Sequence, residues 1–393
     1  MSKDVGVAFN VGSSSVKIGM FDIGSGCAER IGRATLLLGQ HPRLRYQVAD
    51  EVEDIALPAA ESSFGTRATS TVLDRLLNGD FHIGFVGHRV VHGGLAFKGP
   101  VLLNGSVISQ IQNLAPMAPL HQKQALDLID AVFSLYPRVV QTASFDTAFH
   151  ASQCSLASRL AIPNAMHEAG IRRYGFHGLS YKYVAGFLKK FAPYAGGGRV
   201  VCAHLGYGAS LCGMVDGVSI DTSMGFSALD GIPMATRPGA LDPGVLIHLL
   251  RSQFPDADKL EDFLYHRCGL LGVSGISGDT QVLLEDFRPS AREALDLFCF
   301  RIAGEIGRLA VSIGGIDALV FTGGIGEHQP EIRKGIERHL SWMGLTLNEA
   351  ANRTNAPVLN ARDSAVAAFV VHTDEEQVIA DEALAVINQH RLR

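Results

Sequence analysis

Residues 5–22, VGVAFNVGSSSVKIGMFD, read as two β-type runs joined by a small-residue turn, the signature of a β-hairpin. The same grammar returns at residues 200–217, VVCAHLGYGASLCGMVDG. At an offset of 194, Gly12 meets Gly206, Gly19 meets Gly213, Met20 meets Met214 and Asp22 meets Asp216. Chance, or the generic chemistry of hairpins, is one explanation. The offset is nevertheless about half of the 393-residue chain, the spacing an old two-domain duplication leaves. A hairpin would then open each half, and a cleft between the halves would set two Gly/Ser turns face to face.

The segments around these hairpins fit a mixed α/β chain. Residues 81–94, FHIGFVGHRVVHGG, read as strand–turn–strand, and residues 121–137 have helical spacing that stops at Pro137. Residues 139–150, VVQTASFDTAFH, predict a strand running into a polar loop. A long amphipathic helix over 290–313 precedes a buried strand that ends in a Gly-rich turn, IDALVFTGGIGEH at 316–328. Residues 370–390 predict a strand and a closing helix that returns to the first domain. The domains expected are 1–150 with 370–393, and 151–369.

Composition narrows the class. Hydrophobic residues make up 47% and charged ones 19%, so there is ample apolar surface to bury and disorder is excluded as the main state. The formal charge of −5, with no basic block, argues against nucleic acid or an anionic membrane as partner. Six cysteines without a CxxC read as reduced, packed thiols. The N-terminus shows no export signal and no stretch has the length of a membrane span, so a cytoplasmic protein is expected. Glycine is in excess, 43 residues, and much of it falls in short clusters between apolar runs, where backbone turns tightly or approaches a ligand.

Three such clusters follow predicted strands: Gly12 to Ser15, Gly206 to Ser210, and Gly323 to Glu327. Unhindered N–H groups in turns of this kind suit phosphate. Known fingerprints are absent: there is no GK[ST], and Leu211 stands where a dinucleotide motif needs glycine. Lys17 is placed to neutralise a phosphate or to be a solvated hairpin lysine. His88 and His92 share one face of a strand and leave a metal pair open. Arg89, at a strand end before a Gly-Gly turn, better suits bidentate binding of a carboxylate or phosphate, with a structural ion pair as the alternative. His121, Asp146, His177 and Arg237 each stand at the edge of an apolar or Gly/Pro-rich context. Without a GxSxG motif an esterase has little support. Arginines, histidines, one aspartate and phosphate turns are the equipment of phosphoryl transfer.

In order along the chain, NVGSSSVK, GHRVVHGG, APLHQ, ASFDTAFH, RRYGFHGLS, HLGYGAS, DTSMGF, TRPGALDPG, SGISGD, GGIGEH and TDEE match segments of one family. The chain resembles the acetate kinases, of the acetate and sugar kinase, heat-shock chaperone and actin superfamily. That resemblance implies an α/β, duplicated ribonuclease-H-like fold with an interdomain nucleotide cleft. It implies a homodimer that moves a phosphoryl group from ATP to acetate, with Mg²⁺ or alternatively Mn²⁺. By position, Asn10 and Glu375 look like the metal-associated residues, and Ser13, Ser15 and Lys17 line the phosphate side. Arg89 looks like the holder of the substrate carboxylate. Val91, Leu120 and Phe176 fall where the family forms its small acyl pocket. Asp146 matches the catalytic aspartate, and His177, Arg237 and His121 the groups that stabilise the transition state. His204, Leu205, Gly206, Tyr207, Gly208, Asp279, Gly323, Gly324, Ile325, Gly326 and Glu327 sit at nucleotide-binding positions. Since acetate is already ionised near pH 7, Asp146 is expected to orient metal and substrate more than to remove a proton.

The chain departs from the family pattern at Tyr207, Gln281 and His328, where the family has asparagine, arginine and asparagine. Nucleotide preference, and even the use of pyrophosphate, is therefore open. Ala228 replaces a proline near the acyl group, which opens propionate as substrate. Ala240 and Tyr181 replace aspartate and histidine. Against an acyl kinase stand a non-catalytic nucleotide-responsive module, which retained Arg89, Asp146 and Arg237 disfavour, and a sugar kinase, which the apolar pocket residues disfavour.

Overall fold

The computed structural model describes residues 3–12, 15–37, 42–48, 51–57, 66–77 and 81–392. The chain divides into two compact units, Met1–Phe149 with Asp374–Arg393, and His150–Thr373. In the first unit the hairpin of residues 5–22 forms as β1 (Lys3–Val11) and β2 (Ser15–Asp22), paired antiparallel. Antiparallel β3 (Glu29–Leu37), β4 (Arg43–Val48) and β5 (Glu51–Ala56) extend the sheet beyond β2. On the other side β1 runs parallel to β6 (Phe81–Val90), and β6 parallel to β8 (Val140–Phe145), with β7 (Val101–Leu102) at the edge.

The second unit repeats the middle of that order. β9 (Arg199–Leu205) and β10 (Ala209–Val215) make the hairpin, and β11 (Val218–Thr222) adds to β10. Beyond β9, β12 (Ala318–Thr322) and β13 (Ala367–Val370) follow in parallel. Thus β3-β2-β1-β6-β8 and β11-β10-β9-β12-β13 are one topology used twice, as a duplicated ribonuclease-H-like fold requires. The repeat is looser in sequence than the 194 offset suggests. The first hairpin closes on Val11–Val16 and the second on Leu205–Ala209, so the second turn is one residue shorter. The offset that aligns β2 with β10 therefore leaves β1 one residue out from β9. Topology survived where register did not.

Neighbouring residues on β6 show how the first sheet is covered. Val86 packs with Leu128 and Val132 of the helix Pro119–Leu135, inside a core that includes Val7, Phe9 and Val16. A Cβ on Gly87 would lie 2.7 Å from Ile379 of the closing helix Glu375–Arg391. Adjacent strand residues point to opposite faces, so these two helices cover opposite faces of the sheet. That glycine also explains a wrong expectation: residues 81–90 form one strand, not strand–turn–strand. Gly84 and Gly87 mark close approach, to Ile23 and Ile379, and not a turn. A second difference lies after β12, where the Gly-rich segment forms a short helix, Gly323–His328.

The long helix Pro289–Ser312 forms and buries Leu295, Phe298, Ile302, Ile306 and Leu309. Among the described residues no helix is long and apolar enough to cross a membrane. The cysteines are free thiols, and burial pushes Cys212 and Cys299 up to about 12.

Candidate active site

Strand order assembles the polar cluster of the first unit. β6 lies between β1 and β8, and its register puts Phe9 beside His88 and Ser144 beside Arg89. Arg89 is thereby carried between Asn10 of β1 and Asp146, which directly follows β8. Its Nε donates to both Asp146 carboxylate oxygens at 3.1 Å, and its Nη2 to Oδ2 at 2.6 Å. Nη1 donates to Asn10 Oδ1 at 3.0 Å and to the Val11 carbonyl at 3.3 Å. Asp146 is 1% exposed. Burial opposes the charge on Arg89, but the carboxylates of Asp146, Glu375 and Glu376 outweigh it and hold the guanidinium above its ordinary range. The side chain sequence matching assigned to a substrate carboxylate is thus already engaged with a protein carboxylate.

Asn10 also faces the closing helix. Its Nδ2 donates to Glu375 Oε2 at 2.8 Å and to Glu376 Oε1 at 2.7 Å. Both glutamates occupy the first helical turn, where the unsatisfied N–H end favours negative charge. Burial raises the Glu376 carboxyl and the charge of Glu375 adds to it, while the Asn10 hydrogen bond and Lys17 act the other way. Lys17 stands directly across from Asn10 in the hairpin, on the same face. The carboxylate oxygens of Glu375 and Glu376 are donors that a hard divalent cation prefers, while the Asn10 amide turns its nitrogen to them and its oxygen to Arg89. Glu376 was missed in the sequence, although the three successive acidic residues of TDEE were the available signal. Ser15 begins β2, and its carbonyl accepts from Gly12 N–H at 2.9 Å. Ser13 lies outside the described residues, as does the side chain of Leu120. Val91 is buried just past β6, and His121 is half-buried in the first turn of Pro119–Leu135.

In the second unit, His177 caps the helix Gly178–Phe191 with φ 56° and ψ 26°, a left-handed conformation that costs a non-glycine residue energy. Its surroundings hold it there. Gly175, at φ 79°, has no room for a Cβ, which would meet Thr222 at 2.5 Å and His150 at 2.7 Å. His150 Nε2 donates to the Phe176 carbonyl at 3.0 Å, which leaves its Nδ1 to accept from the Ser219 hydroxyl at 2.8 Å. This is the neutral tautomer, and burial pulls the imidazole down to about 4. His177 Nδ1 shares the Ser210 hydroxyl at 2.8 Å with Tyr181, whose phenol lies 2.5 Å from the same oxygen. The His177 ring stacks on His204, with centroids 4.4 Å apart, and Ser180 Oγ is 2.8 Å from His204 Nδ1. Ser210 and Tyr181 were not singled out for a role in the sequence. The partner that Tyr181 shares with His177 became visible only in the fold.

Arg237 approaches the same turn. A Cβ on Gly208 would lie 3.6 Å from His177 Nε2 and 3.7 Å from Arg237 Nη1, so the bare turn brings both groups to one side. Arg237 is 8% exposed and makes no ion pair among the described residues. Its contacts are the Tyr265 ring 5.5 Å away, the Ala228 carbonyl at 3.4 Å and Met234 Sδ at 3.8 Å. Burial lowers its pKa. Arg333 makes the contrast: fully buried, it donates at 2.6–2.8 Å to Asn352 Oδ1, the carbonyls of Gly326 and Asn352, and Asn355 Oδ1. Neither arginine makes an ion pair among the described residues, but Arg333 is saturated by short hydrogen bonds to neutral oxygens, whereas Arg237 has only the long contacts to the Ala228 carbonyl and Met234 Sδ.

The remaining matched positions cluster around the second hairpin and β12. Leu205 closes β9, Tyr207 is exposed at the turn, and Phe176 is buried beside His177. Gly323, at φ 77°, passes so close to Leu205 that a Cβ would lie 2.7 Å from its carbonyl oxygen. Gly323 N–H donates at 2.9 Å to Glu327 Oε1, which closes the segment Gly323–Gly324–Ile325–Gly326–Glu327 on itself. Asp279 caps the helix Thr280–Glu285 by accepting from Gln281 N–H at 2.8 Å.

The model of the acetokinase family matches residues 5–381. An acetate kinase of Rhodopseudomonas palustris (strain TIE-1) is 44% identical over 389 residues, covering 96% of this chain and 97% of its own. Among solved structures, a propionate kinase from Francisella tularensis superposes with a TM-score of 0.87 at 31% identity, over 97% of this chain and 99% of that one. The acetate kinase from Entamoeba histolytica gives 0.86 at 31% identity, over 98% and 100%.

Proposed function

The chain belongs to the acetokinase family, a family of phosphotransferases with a carboxyl acceptor, and from that premise we propose that it is an acetate kinase. It moves a phosphoryl group reversibly between ATP and acetate, giving acetyl phosphate and ADP. The observation that carries the proposal is Arg237: a buried guanidinium without an ion-pair partner among the described residues, beside the glycine turn and His177. Charge on a moving phosphoryl group is what such a cation answers.

The roles divide by unit. In the first, Arg89 takes the substrate carboxylate, sharing the charge it now gives Asp146, and Val91 and Leu120 supply apolar contact to the acyl group. Asn10, Glu375 and Glu376 hold Mg²⁺, which supplies positive charge against phosphate oxygens when bound. Asp146 orients the acceptor without needing to act as a base, since acetate is ionised at neutral pH. His121 assists from the neighbouring helix, and Ser13, Ser15 and Lys17 face phosphate. In the second, Phe176 supplies apolar contact, and His177 and Arg237 stabilise the transition state. The backbone of His204 to Gly208, Asp279 and Gly323 to Glu327 receives the nucleotide. A homodimer acting in the cytoplasm belongs to the same reading.

Propionate is the second substrate to weigh. Ala228, which replaces the family's proline, lends its carbonyl to Arg237, so the lost ring lies beside this cation. A hydroxamate assay for acyl phosphate, run with acetate, propionate and butyrate against ATP, GTP and pyrophosphate, tests both. Acyl hydroxamate from acetate and ATP, with the higher kcat/KM for acetate, is the expected result. A higher value for propionate assigns the second reading, and no product with any pair refutes both.

A further inference from the structure

Two exposed histidines converge on one buried carboxylate at the end of the helix Gly323–His328. Glu327 Oε2 lies 2.7 Å from His372 Nδ1 and 3.8 Å from His328 Nε2. The two imidazole rings are 5.7 Å apart at their centroids. The donor atoms of Glu327, His328 and His372 all fall within 4.8 Å of one another. The carboxylate is also fixed from behind. Its Oε1 accepts from Gly323 N–H at 2.9 Å, Thr373 N–H at 3.3 Å and Thr322 Oγ1 at 3.3 Å. That leaves Oε2 directed at the two rings.

We propose that Glu327, His328 and His372 form a binding site for a borderline divalent cation of the zinc class. Two imidazole nitrogens and one carboxylate oxygen are ligands that zinc, cobalt and nickel accept, whereas Mg²⁺ prefers oxygen alone. Ligands held about 2.0–2.1 Å from a tetrahedral zinc stand about 3.4 Å apart. The observed 2.7 and 3.8 Å bracket that separation, so small rotations of two exposed side chains suffice. Glu327 is the anchored ligand, because the contacts to Oε1 set its orientation before any metal arrives. Water or an anionic ligand would complete the coordination. None of its three ligands is Asn10, Glu375 or Glu376, and the proposal holds whether or not the chain phosphorylates acetate.

The test uses the full chain, stripped of metal, titrated with Zn²⁺ by calorimetry and with Co²⁺ by visible absorption. His328→Ala, His372→Ala and the double variant are compared with the unsubstituted protein. Both histidines are well exposed, so these variants should fold, and equal melting temperatures without metal check that. The expected result is one equivalent of Zn²⁺ bound, weakened about 10-fold or more by each single substitution and lost in the double. Co²⁺ should give a ligand-field band in the unsubstituted protein that the double variant lacks, and millimolar Mg²⁺ should not displace it. Unchanged stoichiometry and affinity in the double variant would place the metal elsewhere, for example on the exposed Cys27 or Cys154, and would overturn the proposal.

Discussion

Arg89 and Asp146 form a buried, bidentate ion pair, with the guanidinium Nε reaching both carboxylate oxygens and Nη2 approaching one of them to 2.6 Å. The pair ties the end of β6 to the residue after β8 and sits where a substrate carboxylate is proposed to bind. Its two duties make opposite demands: the fold needs the pair intact, and the substrate must share it.

Arg89→Ala should therefore be costly twice. It takes the guanidinium away from a carboxylate that is 1% exposed, which lowers stability by about 3–5 kcal/mol. It should also raise the acetate KM. Arg89→Lys keeps the charge but loses the planar fork, so the stability loss should shrink while acetate use stays impaired. Denaturant unfolding and steady-state kinetics measure the two separately. A fully stable Arg89→Ala protein would show that the pair is not structural.

Arg237 and Arg333 should separate in the opposite sense. Arg237→Met is expected to cut kcat by ~10²–10³-fold, as loss of a transition-state donor does. It should leave the melting temperature unchanged or higher, because a buried cation without an ion-pair partner is removed. Arg333 also has no ion pair, but Arg333→Met leaves the buried oxygens of Asn352, Asn355 and Gly326 without their donor, and should destabilise by about 3 kcal/mol or more. Full activity in Arg237→Met refutes the catalytic assignment.

Tyr181 is expected to act through His177. Tyr181→Phe removes the phenol from the Ser210 hydroxyl while keeping the ring, and should lower kcat about 10-fold, the value of one hydrogen bond. Ser210→Ala, which breaks both links, should cost more and shift the pH profile of kcat. If neither variant moves that profile, the triad is only packing.

Acid should destabilise the fold through its buried histidines. Burial pulls His88, His92 and His150 down to about 4, against an ordinary 6.5. Between those values the unfolded chain binds protons that the folded chain does not, so stability falls as pH drops through that window. Each group contributes up to about 3 kcal/mol. Urea unfolding at about pH 7.5 and about pH 5 measures the loss, and His150→Gln should flatten it. A pH-independent midpoint would contradict the burial argument.

What could be read in advance was local. The hairpins at 5–22 and 200–217, the long helix and the buried β12 follow from periodicity and turn residues. The failures were also local signals, answered differently by the fold. Gly84 and Gly87 look like turn residues until Ile23 and Ile379 are seen pressing against them. A glycine reports that a side chain is not tolerated, but not whether the cause is a turn or a neighbour.

The sequence by itself determined the family and the order of its elements, and it offered the candidate site residues, because residue types and short spacings carry that information. Only the tertiary structure decided which charges are spent. It paired Arg89 with Asp146, satisfied Arg333, left Arg237 without an ion pair and gathered Glu376 onto Asn10. It also brought His372 to Glu327, 45 residues away in the chain. The energy of a charge depends on what surrounds it within a few ångströms, and long-range strand pairing and helix packing set those neighbours.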